Sequence, residues 1–124
     1  MGDKYFENYI IYEGEKFSVF FHAESESVSN VYDYFEKCDQ ETQASLLYLV
    51  KRISDIGQIY DKTKFRIEDK KNKIYAFKPK KERFFCFFFY EKRIIITSAY
   101  RKRSDKLNRD ELKKAVKIKK NYME

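Results

Sequence analysis

Two stretches in the first half of the chain carry apolar residues at helical spacing, three or four positions apart. The first predicted helix starts at Ser27, behind a serine cap, and ends at about Cys38. The second is capped by Asp39 and stops at Gly57, so the two form a helical hairpin. The apolar positions are Val28, Val31, Tyr32, Phe35 and Cys38 in the first helix, and Ala44, Leu46, Leu47, Val50, Ile53 and Ile56 in the second.

The second half contains three short, strongly apolar runs that predict β-strands, over residues 73–78, 83–90 and 93–100. The gaps between them are too short for a parallel crossover, so the three strands are expected to be antiparallel neighbours. Residues 83–90 are apolar at nearly every position, which predicts a central strand covered by helices on one face and by the tail on the other.

An earlier apolar run, residues 16–22, predicts a first strand, and the tyrosine-rich stretch before it is either an additional strand or an arm. Near the end, Asn108 to Glu111 forms an N-x-x-E cap that opens a lysine-rich helix. The pattern therefore predicts an α+β fold with an N-terminal strand, a helical hairpin, a three-stranded antiparallel meander and a C-terminal helix. We expect one domain over residues 1–124, with residues 1–25 as an N-terminal extension and first strand.

Composition narrows the class of protein. Apolar residues make up 43% of the chain and aromatic residues 19%, enough to build a core and to exclude global disorder. No run approaches the roughly 20 apolar residues of a membrane span, and the acidic start is unlike a signal peptide. We expect a soluble, cytoplasmic protein that does not contact a membrane.

The charge is unevenly distributed along the chain. Residues 1–61 contain 5 Lys and Arg against 12 Asp and Glu, whereas residues 62–124 contain 22 against 8, giving −7 and +14. No flexible linker separates the halves, so the asymmetry predicts two faces of one domain, the basic one suited to a polyanion such as nucleic acid. The alternative is that the lysines merely keep the surface solvated.

Several kinds of catalytic site are excluded by the residues available. His22 is the sole histidine, which leaves neither a Ser-His-Asp triad nor the usual histidine metal centre. Three glycines cannot build a glycine-rich phosphate loop. We expect no metal and no cofactor, two free thiols at Cys38 and Cys86, and a raised pKa for Cys86 among its phenylalanine neighbours.

Two further features have ordinary structural interpretations. The acidic pair at residues 68–69 is expected in a turn, and the pair at residues 110–111 in the first turn of a helix, where carboxylates are favoured. The aromatic run at residues 84–90 is similar to the stacking platforms of RNA-binding sheets, although core packing is the preferred interpretation. An RNA binder with exposed strand aromatics stays as an alternative.

The strongest candidate for a functional site is formed by the basic residues that flank the predicted strands of the second half. Antiparallel pairing would gather cations from adjacent strand ends over one surface, where they could hold a phosphodiester and neutralise a pentavalent transition state. Arginine offers forked donors with permanent charge, while lysine can also exchange protons. The residues concerned are Lys78, Lys80, Lys81 and Arg83, together with Tyr100, Arg101, Lys102 and Arg103.

The order of the elements, with several short motifs, resembles the RelE/ParE superfamily of toxins from type II toxin–antitoxin systems, particularly its HigB-like, phage-related branch. The resemblance covers about the last 60 residues. Its motifs are KFR at residues 64–66, KIYAFK at 73–78, RFF at 83–85, III at 94–96, AYRKRS at 99–104 and ELKKA at 111–115.

This resemblance implies a ribosome-dependent endoribonuclease that cleaves messenger RNA in the ribosomal A site and is neutralised by a cognate helix-turn-helix antitoxin. By position, Arg83 would stabilise the transition-state phosphate, and Lys78 and Lys80 would activate the ribose 2′-hydroxyl and hold the backbone. Lys102 and Arg103 would assist phosphate stabilisation or protonate the leaving oxygen, with Tyr122 as a positional candidate for the general acid. The RNA-binding set is Lys80, Lys81, Tyr100, Arg101 and Lys106.

The same resemblance leaves a different activity open. ParE-type relatives use this fold to inhibit DNA gyrase without cutting RNA, and a phage-related remnant could keep the fold without catalysis. The alternative is therefore a non-nucleolytic protein of the RelE/ParE fold.

Overall fold

In a computed structural model that describes residues 4–124, a six-stranded sheet has helices packed on both faces. The strand order is β1-β2-β6-β5-β4-β3, with β2 and β6 parallel and all other neighbours antiparallel. A 3₁₀ helix over Lys4–Tyr9 precedes the sheet. The strands are β1 (Ile10–Glu13), β2 (Ser18–Phe21), β3 (Phe65–Asp69), β4 (Ile74–Phe77), β5 (Glu82–Phe89) and β6 (Arg93–Arg101), and the helices are α1 (Asn30–Glu36), α2 (Gln40–Ile56) and α3 (Arg109–Met123).

The α+β, RelE-like class is as predicted, but the sheet contains more strands than expected. The meander has four strands because β3 precedes the three predicted ones. In the N-terminal region, the stretch expected as an additional strand or an arm forms strand β1, which pairs with β2 in a hairpin. The sequence FRIED of β3 was not recognised because three of its five residues are charged. Residues 1–3 of the predicted extension lie outside the described residues.

The helical hairpin starts and ends largely where its caps predict. The Asp39 side chain accepts a 2.8 Å hydrogen bond from the Thr42 amide, and Gly57 ends α2 with a φ of 90°. The α1 cap is Ser29, so this helix is shorter than predicted at both ends. The buried face of α2 also differs: Leu49 is buried, whereas the predicted positions Ala44, Leu47 and Ile56 are exposed.

Strand β5 is the centre of the protein. Phe84 and Cys86 pack toward α1 and α2, while Phe85 and Phe87 pack toward α3, and all four are fully buried. Burial of each such phenylalanine contributes roughly 1.5–3 kcal/mol. The central-strand prediction is confirmed, and an exposed aromatic RNA platform on this strand is excluded. Burial also raises the pKa of Cys86 well above its usual range, as predicted.

Helix α3 covers the second face of the sheet. The Asn108 side chain accepts a 3.1 Å hydrogen bond from the Glu111 amide, which confirms the predicted cap. Leu112, Ala115 and Tyr122 are buried against the sheet, so the helix is fixed from its first turn to its last. Over residues 4–124, no helix combines the length and apolar character needed to cross a bilayer.

Candidate active site

Four neighbouring strands contribute alternate residues to one pocket on the α3 face of the sheet. Because successive side chains of a strand point to opposite faces, every second residue of β3, β4, β5 and β6 reaches the same side. The pocket has a volume of about 350 Å³, within the usual range for ligand sites. We call it the basic pocket; it is lined by Lys62, Thr63, Arg66, Glu68, Ala76, Lys78, Arg83, Phe85, Tyr100, Lys102, Ser104, Asp105, Lys106 and Leu107.

Strand register brings residues that are distant in sequence to the pocket. Arg83 is the cross-strand partner of Tyr100. The backbone amide of Lys78 continues the β3–β4 pairing with a 2.8 Å hydrogen bond to the Lys64 carbonyl. The amide of Lys102 likewise donates to the Lys81 carbonyl at 2.8 Å. Lys78, Arg83 and Lys102 are therefore held on ordered backbone beside one another, not on free loops.

The pocket has a strong excess of positive charge. Six Lys or Arg side chains line it against two carboxylates, Glu68 and Asp105, which leaves an excess of four. Asp105 is almost fully exposed and lies 3.0 Å from the Lys102 ammonium. Such an arrangement favours binding of an anion with several oxygens, such as a phosphodiester.

Glu68 is the one lining carboxylate that is largely buried. Its Oε2 lies 2.7 Å from the Lys78 ammonium, and the side chains of this pair are only 10% and 11% exposed. Arg66 Nε lies 3.2 Å from the same oxygen. The predicted turn at Glu68 is wrong, because this residue lies within β3. Lys78 consequently has a carboxylate as an ionic partner within the basic pocket.

The Arg83 side chain is oriented by its own backbone surroundings. Its Nη1 donates to the carbonyls of Lys80 at 3.0 Å and Glu82 at 2.8 Å. The other guanidinium nitrogens make no hydrogen bond with the described residues. They remain available to donate in a forked manner to a phosphate in the basic pocket.

The remaining predicted residues lie elsewhere. Arg101 is on the opposite face, where its Nη1 lies 2.7 Å from the buried Glu82 carboxylate. Lys80 is near Asp39, whose pKa is lowered first by hydrogen bonds from Thr42 and then by the Arg101 and Lys80 charges. Lys81 and Arg103 are exposed and do not line the basic pocket. Of the nine predicted residues, Lys78, Arg83, Tyr100, Lys102 and Lys106 line it.

Glu82 connects helix α1 to the start of β5 and the end of β6. The Tyr34 hydroxyl donates to the Glu82 carboxylate, which in turn binds Arg101. Burial, and then the hydrogen bond to Glu82, raises the pKa of Tyr34. This network supports the position of Arg83, the next residue along β5, from the other side of the sheet.

Tyr122 does not belong to the basic pocket. Its ring packs 5.4 Å from the rings of Phe87 and Phe89, at the end of β5 away from Arg83. Its hydroxyl oxygen lies 2.8 Å from Nδ1 of His22, whose Nε2 is 3.4 Å from Glu24. Tyr122 and His22 thus connect the C-terminal helix to the region after β2, a structural role.

Comparison with known proteins places the whole pocket within one family. No curated protein matches the chain. Residues 33–120 match the family described as phage derived protein Gp49-like (DUF891), and this segment is more than half of the chain and includes every residue that lines the basic pocket. The chain therefore belongs to the Gp49-like family of phage-derived proteins, a RelE/ParE-like toxin family of toxin–antitoxin systems.

Proposed function

We propose that this protein is a toxin of the HigB-like branch that cleaves messenger RNA on the ribosome in the cytoplasm and is held inactive by a helix-turn-helix antitoxin. The observation that carries this proposal is the convergence of Lys78, Arg83 and Lys102 on one pocket with an excess of four positive charges. Membership of a toxin-like family supports an antitoxin partner.

The proposed reaction is a transphosphorylation within the RNA strand. The ribose 2′-oxygen attacks the adjacent phosphorus, the bond from phosphorus to the 5′-oxygen breaks, and a 2′,3′-cyclic phosphate and a 5′-hydroxyl form. The 2′-hydroxyl proton must be accepted, the leaving oxygen must gain a proton, and the additional negative charge on phosphorus must be stabilised. Side chains of the basic pocket match each of these three requirements.

Arg83 is assigned to the phosphate, since its Nη1 is fixed by backbone carbonyls while its other donors form no hydrogen bond with residues 4–124. The Lys78–Glu68 pair is assigned to the 2′-hydroxyl: Glu68 supplies a carboxylate acceptor and Lys78, 2.7 Å away, orients it. Lys102 is assigned to the leaving oxygen. Tyr100, half-buried beside Phe85, offers a ring on which a base can stack.

Three predicted site residues that lie outside the basic pocket are proposed to contact the RNA and to take no part in the reaction itself. Arg103 follows Lys102 directly and precedes Ser104, so it lies at the rim, where it would contact the RNA backbone. Lys80 and Lys81 occupy the exposed turn between β4 and β5 and would do the same.

The test compares induced expression of the wild type with Arg83→Ala, using Arg52→Ala as a matched control. Arg52 is an exposed arginine on α2, outside the basic pocket. We expect growth arrest and new 5′-hydroxyl ends in translated messages for the wild type and Arg52→Ala, and neither for Arg83→Ala. Circular dichroism and thermal unfolding establish that each variant is folded. Growth arrest by Arg83→Ala with intact transcripts would instead favour a non-nucleolytic inhibitor, such as one directed at gyrase.

A further inference from the structure

The outer surface of α3 carries a second basic site, distinct from the basic pocket. Arg109, Lys113, Lys117 and Lys120 are spaced four, four and three residues apart, so they lie on one face of the helix. All four are exposed. They border a groove of about 430 Å³ between the helix and the β3–β4 turn, which we call the α3 groove.

The groove has fixed walls. The Lys119 ammonium donates to the Asn72 carbonyl and so attaches the β3–β4 turn to the helix. Partial burial and the nearby Lys73 charge lower the pKa of Lys119. Among residues 4–124, Asp69 is the only carboxylate that lines the groove, and it already accepts a 2.8 Å hydrogen bond from the Asn72 side-chain amide. The α3 groove is thus a concave surface with an unmatched positive charge.

Asp110 and Glu111 in the first turn of α3 and Lys120 in its last turn suit the helix dipole, but the cations on its groove face repel one another. Like charges at i and i+4, as in Arg109–Lys113 and Lys113–Lys117, repel each other, and Arg109 lies at the positive end of the helix dipole. Among residues 4–124, none of the four groove cations forms an ion pair. A bound polyanion would relieve this repulsion.

We propose that the α3 groove binds the sugar-phosphate backbone of RNA. It would hold the substrate strand, or RNA next to that strand, while the basic pocket acts on the scissile phosphate. This inference rests on the proposed function for the choice of RNA. The two sites are continuous along the chain, because Lys106 lines the pocket and Arg109 begins the groove. The helical repeat of about 5.4 Å spaces the cations along a line, as a polymer of phosphates requires.

An anionic membrane surface is the other polyanion that such a helix could contact. Interfacial helices expose large apolar residues beside their cations. In α3, however, Leu112 and Tyr122 are buried against the sheet and Val116 and Ile118 are half-buried, so Met123 is the one exposed large apolar side chain of the helix and no continuous apolar stripe lies beside the cations. The side chains therefore favour RNA over lipid.

The test measures binding of a short labelled RNA oligonucleotide to the full chain at several salt concentrations, in an Arg83→Ala background that prevents cleavage. One triple variant, K113Q/K117Q/K120Q, removes groove cations. The matched control, K16Q/K37Q/K92Q, removes the same charge from exposed lysines outside both sites. Each lost phosphate contact should lower the slope of log K against log salt by about 0.7, so the groove variant should lose about 2 and the control almost none.

Equal slopes for the two triple variants would overturn the inference, whatever the nuclease assay shows. So would a groove variant that binds RNA normally but loses binding to vesicles of phosphatidylglycerol and phosphatidylcholine, which would identify a lipid site. A difference in slope in a protein whose wild type leaves transcripts intact would support the groove and reject the proposed nuclease. Circular dichroism should show α3 intact in both variants.

Discussion

The Glu68–Lys78 pair offers a direct test of how the basic pocket is built. Its atoms lie 2.7 Å apart and both side chains are nearly buried, so the pair is a charge-assisted hydrogen bond in a poorly solvated place. The perturbation is a double-mutant cycle of Glu68→Gln, Lys78→Met and the double variant. Both substitutions keep the approximate size of the side chain and remove one charge each.

The expected magnitude follows from the partners that remain. Removing Lys78 leaves Glu68 with Arg66 at 3.2 Å, whereas removing the Glu68 charge leaves the Lys78 ammonium facing an amide. A hydrogen bond to a charged group contributes about 1.5–3 kcal/mol, and an uncompensated buried charge costs more. We expect each single variant to lose about 2 kcal/mol of unfolding free energy and the double variant to lose less than the sum. The coupling energy should be about 1–2 kcal/mol.

Urea denaturation at neutral pH, repeated at high salt, measures the coupling. A buried pair is weakly screened, so the coupling should survive added salt, unlike that of an exposed pair. A coupling below about 0.5 kcal/mol, or one abolished by salt, would refute the idea that Glu68 and Lys78 form a buried unit. In RNA assays, Glu68→Gln should bind more tightly, because the pocket gains positive charge, yet cleave more slowly, because the proton acceptor is lost.

Two further predictions concern the fold. In Gly14→Ala the new Cβ would lie 2.5 Å from the Ser54 backbone, so we expect a loss of about 3 kcal/mol in urea denaturation. At Gly57 a new Cβ would have room, but the φ of 90° is unfavourable for alanine, so Gly57→Ala should lose only about 1 kcal/mol of unfolding free energy. Equal losses for the two glycine variants would contradict this explanation. Burial raises the pKa of Cys38 to about 11, so its proton stabilises the native state below pH 9 and this contribution is lost as pH rises from 9 to 11. Between pH 9 and 11 the free energy of unfolding should therefore fall less steeply for Cys38→Ser than for the wild type. Parallel plots of unfolding free energy against pH for the two proteins would contradict the raised pKa of Cys38.

Those parts of the fold that depend on local signals could be predicted from the sequence. Asp39, Gly57 and Asn108 mark helix ends through hydrogen bonds within a few residues, and all three act as expected. Strand β3 is not predicted from the sequence because Arg66 and Glu68, which face the basic pocket, are charged, although Phe65 and Ile67 alternate with them. That alternation is the available signal, and it shows that charged residues facing a pocket can conceal a strand.

For the candidate site, sequence alone identified cations at strand ends but not the face on which each lies. Arg101 and Lys102 are adjacent, yet one binds Glu82 on the α1 side and the other lines the basic pocket. A shift of one position reverses the face, and the bulge between Phe85 and Cys86 changes the register of β5 against β6. Such irregularities depend on packing across the sheet, which no local pattern encodes.

The two faces of the sheet differ in how their charged side chains are paired. On the α1 side, the buried Glu82 carboxylate is satisfied by Tyr34 and Arg101 within the protein. On the α3 side, the carboxylates are too few to neutralise the cations, both in the basic pocket and along the α3 groove. A surface that leaves cations unmatched at two adjacent places is less stable than one with balanced charges. The concentration of positive charge on this face therefore supports the proposed polyanionic ligand, since solubility alone would not require the charge to be concentrated there.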